Sequence, residues 1–235
     1  MQPAFVMALI AVLIAAVVSF VVMGLVQRRR ARVLSRSAHK MGLRFSGDDP
    51  FDVPRRYADF VLISCGHSAQ AHNVTYGRLA GLPLRAFDFR FEVGHGTRRM
   101  TRKYGVIVIE TGKESPPALM WNTRDSQCVP LEALRCQARV GCWVCRGEEA
   151  LIRELGSAAD PLAEDALSMQ TRGSVLMMWM PAARAGRDYA ARLGAAGAIA
   201  KALAGTVPAE PRTCADKVSP GPNRVKQNVE NPGGP

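Results

Sequence analysis

From Ala4 to Val26 the chain carries no charged residue, and Ser19 is its one conventionally polar side chain. Crossing the hydrocarbon core of a bilayer takes about 20 apolar residues, each advancing about 1.5 Å along a helix. Residues 3–26 therefore read as a transmembrane helix with room for some tilt. A cleaved signal peptide begins with a basic segment, has a shorter apolar core and ends at a small-residue site. Here nothing basic precedes the run and the run is too long, which favours an uncleaved anchor over a signal peptide or a buried core helix.

Charge sets the expected orientation. Arg28, Arg29, Arg30, Arg32, Arg36, Lys40 and Arg44 follow the span, and no acid appears until Asp48. The positive-inside rule places that flank in the cytoplasm and the N-terminus outside. The same arginines can rest on anionic lipid headgroups, or can serve topology alone. Nothing aromatic interleaves them, and their position beside the span explains them, so nucleic acid is not an expected partner. A cytoplasmic location implies that Cys65, Cys128, Cys136, Cys142, Cys145 and Cys214 are reduced thiols.

The remainder of the 235 residues is enough for one folded domain. A chain that is 48% hydrophobic is not disordered throughout. The net charge is +11, from 31 Lys+Arg against 20 Asp+Glu. Phosphate-binding, nucleophile-elbow, metalloprotease and dinucleotide-binding glycine patterns are all missing, which removes the common motif-bearing enzymes.

Residues 27–45 read as a basic juxtamembrane helix ended by Gly42, with Leu34, Ala38 and Met41 at helical spacing. Residues 46–58 form an acidic, proline-containing linker or docking turn. The apolar period then shortens to two. Asp59–Cys65 and His72–Leu79 read as strands, and Leu82–Val93 is the clearest, with Phe87, Phe89, Phe91 and Val93 on one side and Asp88, Arg90 and Glu92 on the other. Tyr104–Glu110 follows. Pro116-Pro117 is expected to break the chain before a short strand at 118–121, and a further strand runs from about Arg135 to Cys145.

In the second half, 148–155 reads as a helix and Asp160-Pro161 as the start of another. Ser174–Met180 is apolar on both faces, as in a covered central strand. Ala182–Ala204 aligns Tyr189, Leu193, Ala196, Ile199 and Leu203 on one helical stripe. Adjacent strands without intervening helices predict an antiparallel meander, hence an α+β domain over 46–205 with helices packed on one face. Residues 206–235, rich in Pro and Gly, read as a disordered tail.

The stretch GLRFSGDDPFDVPRRYADFVLISCGHSAQAHNVTYGRLAGLPLRAFDFRFEVGHG resembles an uncharacterised bacterial family of single-pass membrane-anchored proteins, as do CRGEEALIREL and SMQTRGSVLMMWMP further on. The resemblance runs over roughly residues 41–205 and its motifs are structural ones, glycines at turns and aromatics on a strand face. It implies the anchor and the fold. It transfers no catalytic residue and no activity.

Three constellations could carry chemistry. Cys65, His67 and His72 offer three zinc-type ligands within eight residues, and Cys142 and Cys145 form a C-x2-C pair with Cys136 upstream. Neither spacing is a standard zinc pattern, and ordinary buried cysteines with turn histidines use the same residues. A strand through 141–146 would put Cys142 and Cys145 on opposite sides. Arg98, Arg99 and Arg102, in a glycine-flanked hairpin loop, could hold a phosphate or a headgroup, or form a solvated tip. Trp121, Trp143 and Trp179 are expected in the core. The sequence thus points to a membrane-surface binding module with an unknown protein partner and no catalytic residues, no cofactor being implied unless zinc. The rival is a membrane-tethered metal or thiol protein.

Overall fold

The computed structural model describes residues 3–125, 130–136, 138–182 and 188–205. The expectations for Cys128, Cys214, the linker side of the last helix and the tail lie outside those residues.

Helix α1, Pro3–Lys40, is continuous from the apolar run into the basic segment. Its apolar half is bare: Leu9, Leu13 and Phe20 are all more than half exposed to solvent. Among the described residues no protein surface covers them, and the segment is long and apolar enough to cross a membrane. The second half behaves differently. Leu34 and Ala38 turn inward and are buried. The helix stops at Gly42, whose φ of 71° is open to glycine without strain. The Gly42 amide bonds the His39 carbonyl, and the Leu43 amide bonds the Ala38 carbonyl at 2.9 Å. That pairing satisfies the last carbonyls of the helix, and the apolar contact of Leu43 with Ala38 accompanies it.

Seven antiparallel strands follow: β1 (Arg44–Ser46), β2 (His67–Leu79), β3 (Leu82–Val93), β4 (Met100–Asn122), β5 (Ala138–Val140), β6 (Trp143–Arg146) and β7 (Ser168–Pro181). The order is β1-β2-β3-β4-β6-β5, with β7 along β4. The fold is the expected α+β, an apolar helix followed by an antiparallel sheet with helices. One face packs on the end of α1 and on two helices, α5 (Glu149–Ala159) and α6 (Tyr189–Gly205), through Ile107, Met120, Trp143, Leu155, Met178 and Leu193. The other face is aromatic: Phe87, Phe89, Phe91, Tyr104, Trp121 and Trp179. Short helical turns cover it, α2 (Val53–Arg56), α3 (Val61–Ser64) and α4 (Leu131–Leu134). All three tryptophans are buried, as expected.

Several elements correct the sequence reading. Asp59–Cys65 is not a strand. Val61, Leu62 and Ile63 form a helical turn that is buried throughout, and the Ser64 hydroxyl bonds the Phe60 and Val61 carbonyls. A short continuous apolar run suits either state, and here the aromatic sheet face favours the compact one. Pro116-Pro117 does not break β4. The Thr171 hydroxyl donates to the Pro116 carbonyl at 2.7 Å and accepts the Ala118 amide at 2.9 Å, replacing the ladder bonds that proline removes. In place of one strand from Arg135 to Cys145, β5 (Ala138–Val140) and β6 (Trp143–Arg146) form a hairpin turned at Gly141, φ 54°. Asp160 closes α5 and leads into a 3-10 turn, Asp160–Asp165, instead of opening a new helix. In the last helix the described part begins at Tyr189, and it buries the stripe Leu193, Ala196, Ile199 and Leu203.

Candidate functional site: a basic groove beside the juxtamembrane helix

The route of α1 over the sheet defines the site. Leu43 lies so close to Gly77 that a Cβ there would stand 2.9 Å from its Cδ2, and Gly77 pairs with Leu84. Three turns back along α1, Arg30 reaches Asp88 further along β3. Going toward the apolar half, α1 therefore travels along β3 toward its far end. The β3–β4 hairpin tip, Gly94–Arg99, lies at the end of the sheet that the apolar segment approaches.

Arg30 and Asp88 form a two-point pair. Nε donates to Oδ2 at 2.8 Å and Nη2 to Oδ1 at 2.6 Å, and Asn73 Nδ2 adds a third bond to Oδ2 at 2.9 Å. The hydrogen bond to Asp88 outweighs burial and lifts the Arg30 guanidinium above its ordinary value. Asn73 can reach because β2 is bulged. Between His72 and Thr75 β2 gains one residue on β3, and Asn73 takes φ 52° at the bulge. Asparagine tolerates that left-handed conformation, and bulges commonly re-aim a side chain. Beneath the pair a cavity of about 20 Å³ is walled by Leu34, Phe87, Met180, Tyr189 and Arg192. Burial pushes the Tyr189 hydroxyl up to about 12. Arg192 is itself buried and pairs with Asp165 at 2.9 Å.

Outward from this pair, toward the hairpin tip, a groove of about 540 Å³ opens between α1 and the sheet. Arg28 and Arg30 come from the helix wall, and His72, Asp88, Arg90 and Lys103 come from the sheet wall. Four cationic groups thus meet one carboxylate, which Arg30 already holds. Arg90 and Lys103 stand directly opposite each other in the β3–β4 register. The Arg90 guanidinium bonds the neutral Gln70 amide oxygen. His72 Nε2 is enclosed with no hydrogen-bond partner among the described residues. Burial, aided by Arg90, lowers the His72 pKa below its ordinary value, which favours the uncharged ring. Asp48 and Asp49 lie on the His72 side, and Asp49 is taken up by the Phe51 and Val53 amides.

The sequence-chosen residues divide. Arg28 and Arg30 enter the groove region, while Arg29 and Arg32 are exposed on α1 outside it. Arg98 and Arg99 sit at the hairpin tip, where Arg99 pairs with Glu92, and Arg102 lies beyond it in β4, opposite Phe91. That pairing, ahead of Ser68 and His67, holds the Glu92 carboxyl below its usual range. Asp88, Arg90 and Glu92 thus share a face but each engages a different partner. Of the metal candidates, Cys65 packs on the aromatic core, His67 stacks on His95 with ring centres 5.3 Å apart, and His72 faces Asp88. Cys142 and Cys145 both lean on the helix-covered core, because Cys142 sits in the turn before β6 begins. Burial pushes the Cys145 thiol up to about 11, and Asn122 Nδ2 donates to Cys142 Sγ at 3.3 Å. Among the described residues no three His, Cys, Asp or Glu side chains are grouped to hold a metal ion. Sequence reasoning missed Asp88, Asn73 and Lys103 as parts of one site. The signal it had was the like-charge pair Arg90 and Lys103, which only the strand register brings together.

The helix and sheet define a class by shape: an α+β domain fused to one apolar helix long enough to cross a membrane. No protein-family model and no curated protein matches the chain. Among solved structures it is similar to the crystal structure of the mycobacterial trehalose monomycolate transport factor A, TtfA, with a TM-score of 0.52 at 13% identity. The match covers 75% of this chain and 93% of that one. At that identity the likeness is one of fold.

Proposed function

We propose that the chain is a single-pass membrane protein whose α+β domain works as a non-enzymatic binding module on the inner surface of the bacterial cytoplasmic membrane. One observation carries this reading: the span and the sheet are tied together by the Arg30–Asp88 pair and by the burial of Leu34 and Ala38. A flexible tether would leave the domain free. This docking supports the reading that the β3–β4 hairpin end of the sheet faces the lipid. The arginine-rich flank of the span supports a cytoplasmic domain. TtfA, whose fold is similar, is described as a transport factor, which supports a role in holding or positioning a partner protein at the membrane. On this reading the folding unit begins near residue 27 instead of 46, since the second half of α1 completes the core.

The test is fractionation of cells followed by protease treatment of intact spheroplasts. The full chain is expected in the inner-membrane fraction, with the sheet domain protected until the cells are lysed. Recovery as a soluble protein, or digestion of the domain from outside, would reject the proposal.

A further inference from the structure

The groove between α1 and the sheet has an arrangement that stability alone does not favour. Like charges directly opposite on neighbouring strands are destabilising. Arg90 and Lys103 are such a pair, and Arg28 faces them from α1. No carboxylate bonds any of the three among the ion pairs of the described residues, and the one carboxylate in the groove is bound by Arg30. Ala31 adds an apolar patch on the helix wall, whereas the side chains of Phe89 and Tyr104 turn to the opposite, aromatic face of the sheet. His72 adds a buried ring nitrogen that lacks a hydrogen-bond partner among the described residues. The volume of about 540 Å³ suits a small molecule or a headgroup. Residues 27–31 begin immediately after Val26, the last residue of the apolar run, which places the mouth of the groove at headgroup depth.

We propose that this groove binds the phosphate of an anionic membrane lipid, with Arg28, Arg90 and Lys103 as its charge partners and His72 as a further hydrogen-bonding group. The inference rests on the membrane-anchored reading above and goes further by assigning a ligand class. Guanidinium and ammonium groups bind phosphate by charge-assisted hydrogen bonds, and the low-dielectric wall strengthens them. The lipid glycerol and first methylenes would lie along Ala31 and, past Gln27 and Arg28, along Leu25 of α1, which a soluble phosphate could not use. Lipid is therefore the favoured source of the phosphate.

The full chain, purified in dodecyl maltoside, is titrated with dioctanoyl phosphatidylglycerol, dioctanoyl phosphatidylcholine and glycerol 3-phosphate, with binding read by calorimetry. Phosphatidylglycerol is expected to bind most tightly. Arg90→Gln with Lys103→Gln weakens that binding about 30-fold, as expected for two basic groups near a headgroup. Arg28→Gln, on an exposed stretch of helix, weakens it in the same direction even if the double variant folds poorly. Arg98→Gln with Arg99→Gln at the hairpin tip leaves it within about threefold. Wild-type affinity in the double variant and in Arg28→Gln, or equal affinity for the two lipids, overturns the proposal. Equally tight binding of glycerol 3-phosphate overturns the lipid assignment in favour of a soluble phosphate. Loss of binding in a variant that stays in the membrane fraction supports the groove, whereas a wild-type chain found soluble removes the anchoring beneath it.

Discussion

Replacing Asp88 with alanine is the sharpest perturbation of the helix–sheet connection. Asp88 accepts two bonds from Arg30 and one from Asn73, and the pair is partly shielded, with side chains 32% and 23% exposed. A net hydrogen bond to a charged group contributes about 1.5–3 kcal/mol when buried, and exposed pairs far less. Asp88→Ala also leaves a half-buried guanidinium without its partner. Partial exposure brings the expected loss to about 2–3 kcal/mol. For a domain of this size each kcal/mol shifts Tm by roughly 2–4 °C, so a fall of about 5–10 °C is expected. The assay is thermal unfolding of the full chain in detergent by near-UV circular dichroism. Arg30→Met and the Arg30→Met/Asp88→Ala double variant complete a cycle. Because the double variant buries no lone charge, it is expected to lose about 1–2 kcal/mol less than the sum of the singles. An Asp88→Ala protein melting within about 1 °C of wild type, or strict additivity, would refute the reasoning.

Other outcomes follow from single residues. Gly66→Ala would place a Cβ 2.4 Å from the Glu92 carbonyl oxygen, so the variant should lose about 1–3 kcal/mol in denaturant titration, whereas Gly47→Ala, with open space around it, should not. Cys145, buried with its thiol pushed up to about 11, should resist iodoacetamide at pH 8 in the native chain and react after unfolding, as read by peptide mass spectrometry. His72 has a lowered pKa, so the unfolded chain takes up its proton more readily. Its contribution is complete above the ordinary histidine value and is lost as pH falls below it. Wild type should therefore lose more Tm than His72→Gln between pH 7.5 and 5.5, and parallel losses would count against a neutral buried ring. Metal analysis of the purified chain should find less than stoichiometric zinc, and one zinc per chain would revive the Cys and His alternatives.

The parts of the fold that were legible in sequence are those whose pattern is local. The apolar run, Gly42 as the stop of α1, the alternation of Leu82–Val93 and the stripe of α6 each declare themselves within a few turns or pleats. The misread parts depend on distant partners. Val61–Ile63 is helical because an aromatic sheet face receives it, and Pro116-Pro117 stays in a strand because Thr171 bridges the gap. The site shows the same division. The arginines after the span were visible, but Arg30 finds Asp88 across 58 residues, and Arg90 meets Lys103 only through the hairpin register. Asn73 at a left-handed bulge carries no marker in a single sequence, since asparagine is common in turns.

The central claim is that docking of α1 holds the hairpin end of the sheet against the bilayer. Paramagnetic relaxation in nanodiscs, with gadolinium chelated to the lipid headgroups, tests it without altering the chain. The account predicts that amide resonances of Arg28 and of Gly94–Arg99 broaden strongly, while those of Ala138–Val140, at the opposite end of the sheet, stay sharp. Equal broadening, or its absence, at both ends would contradict it.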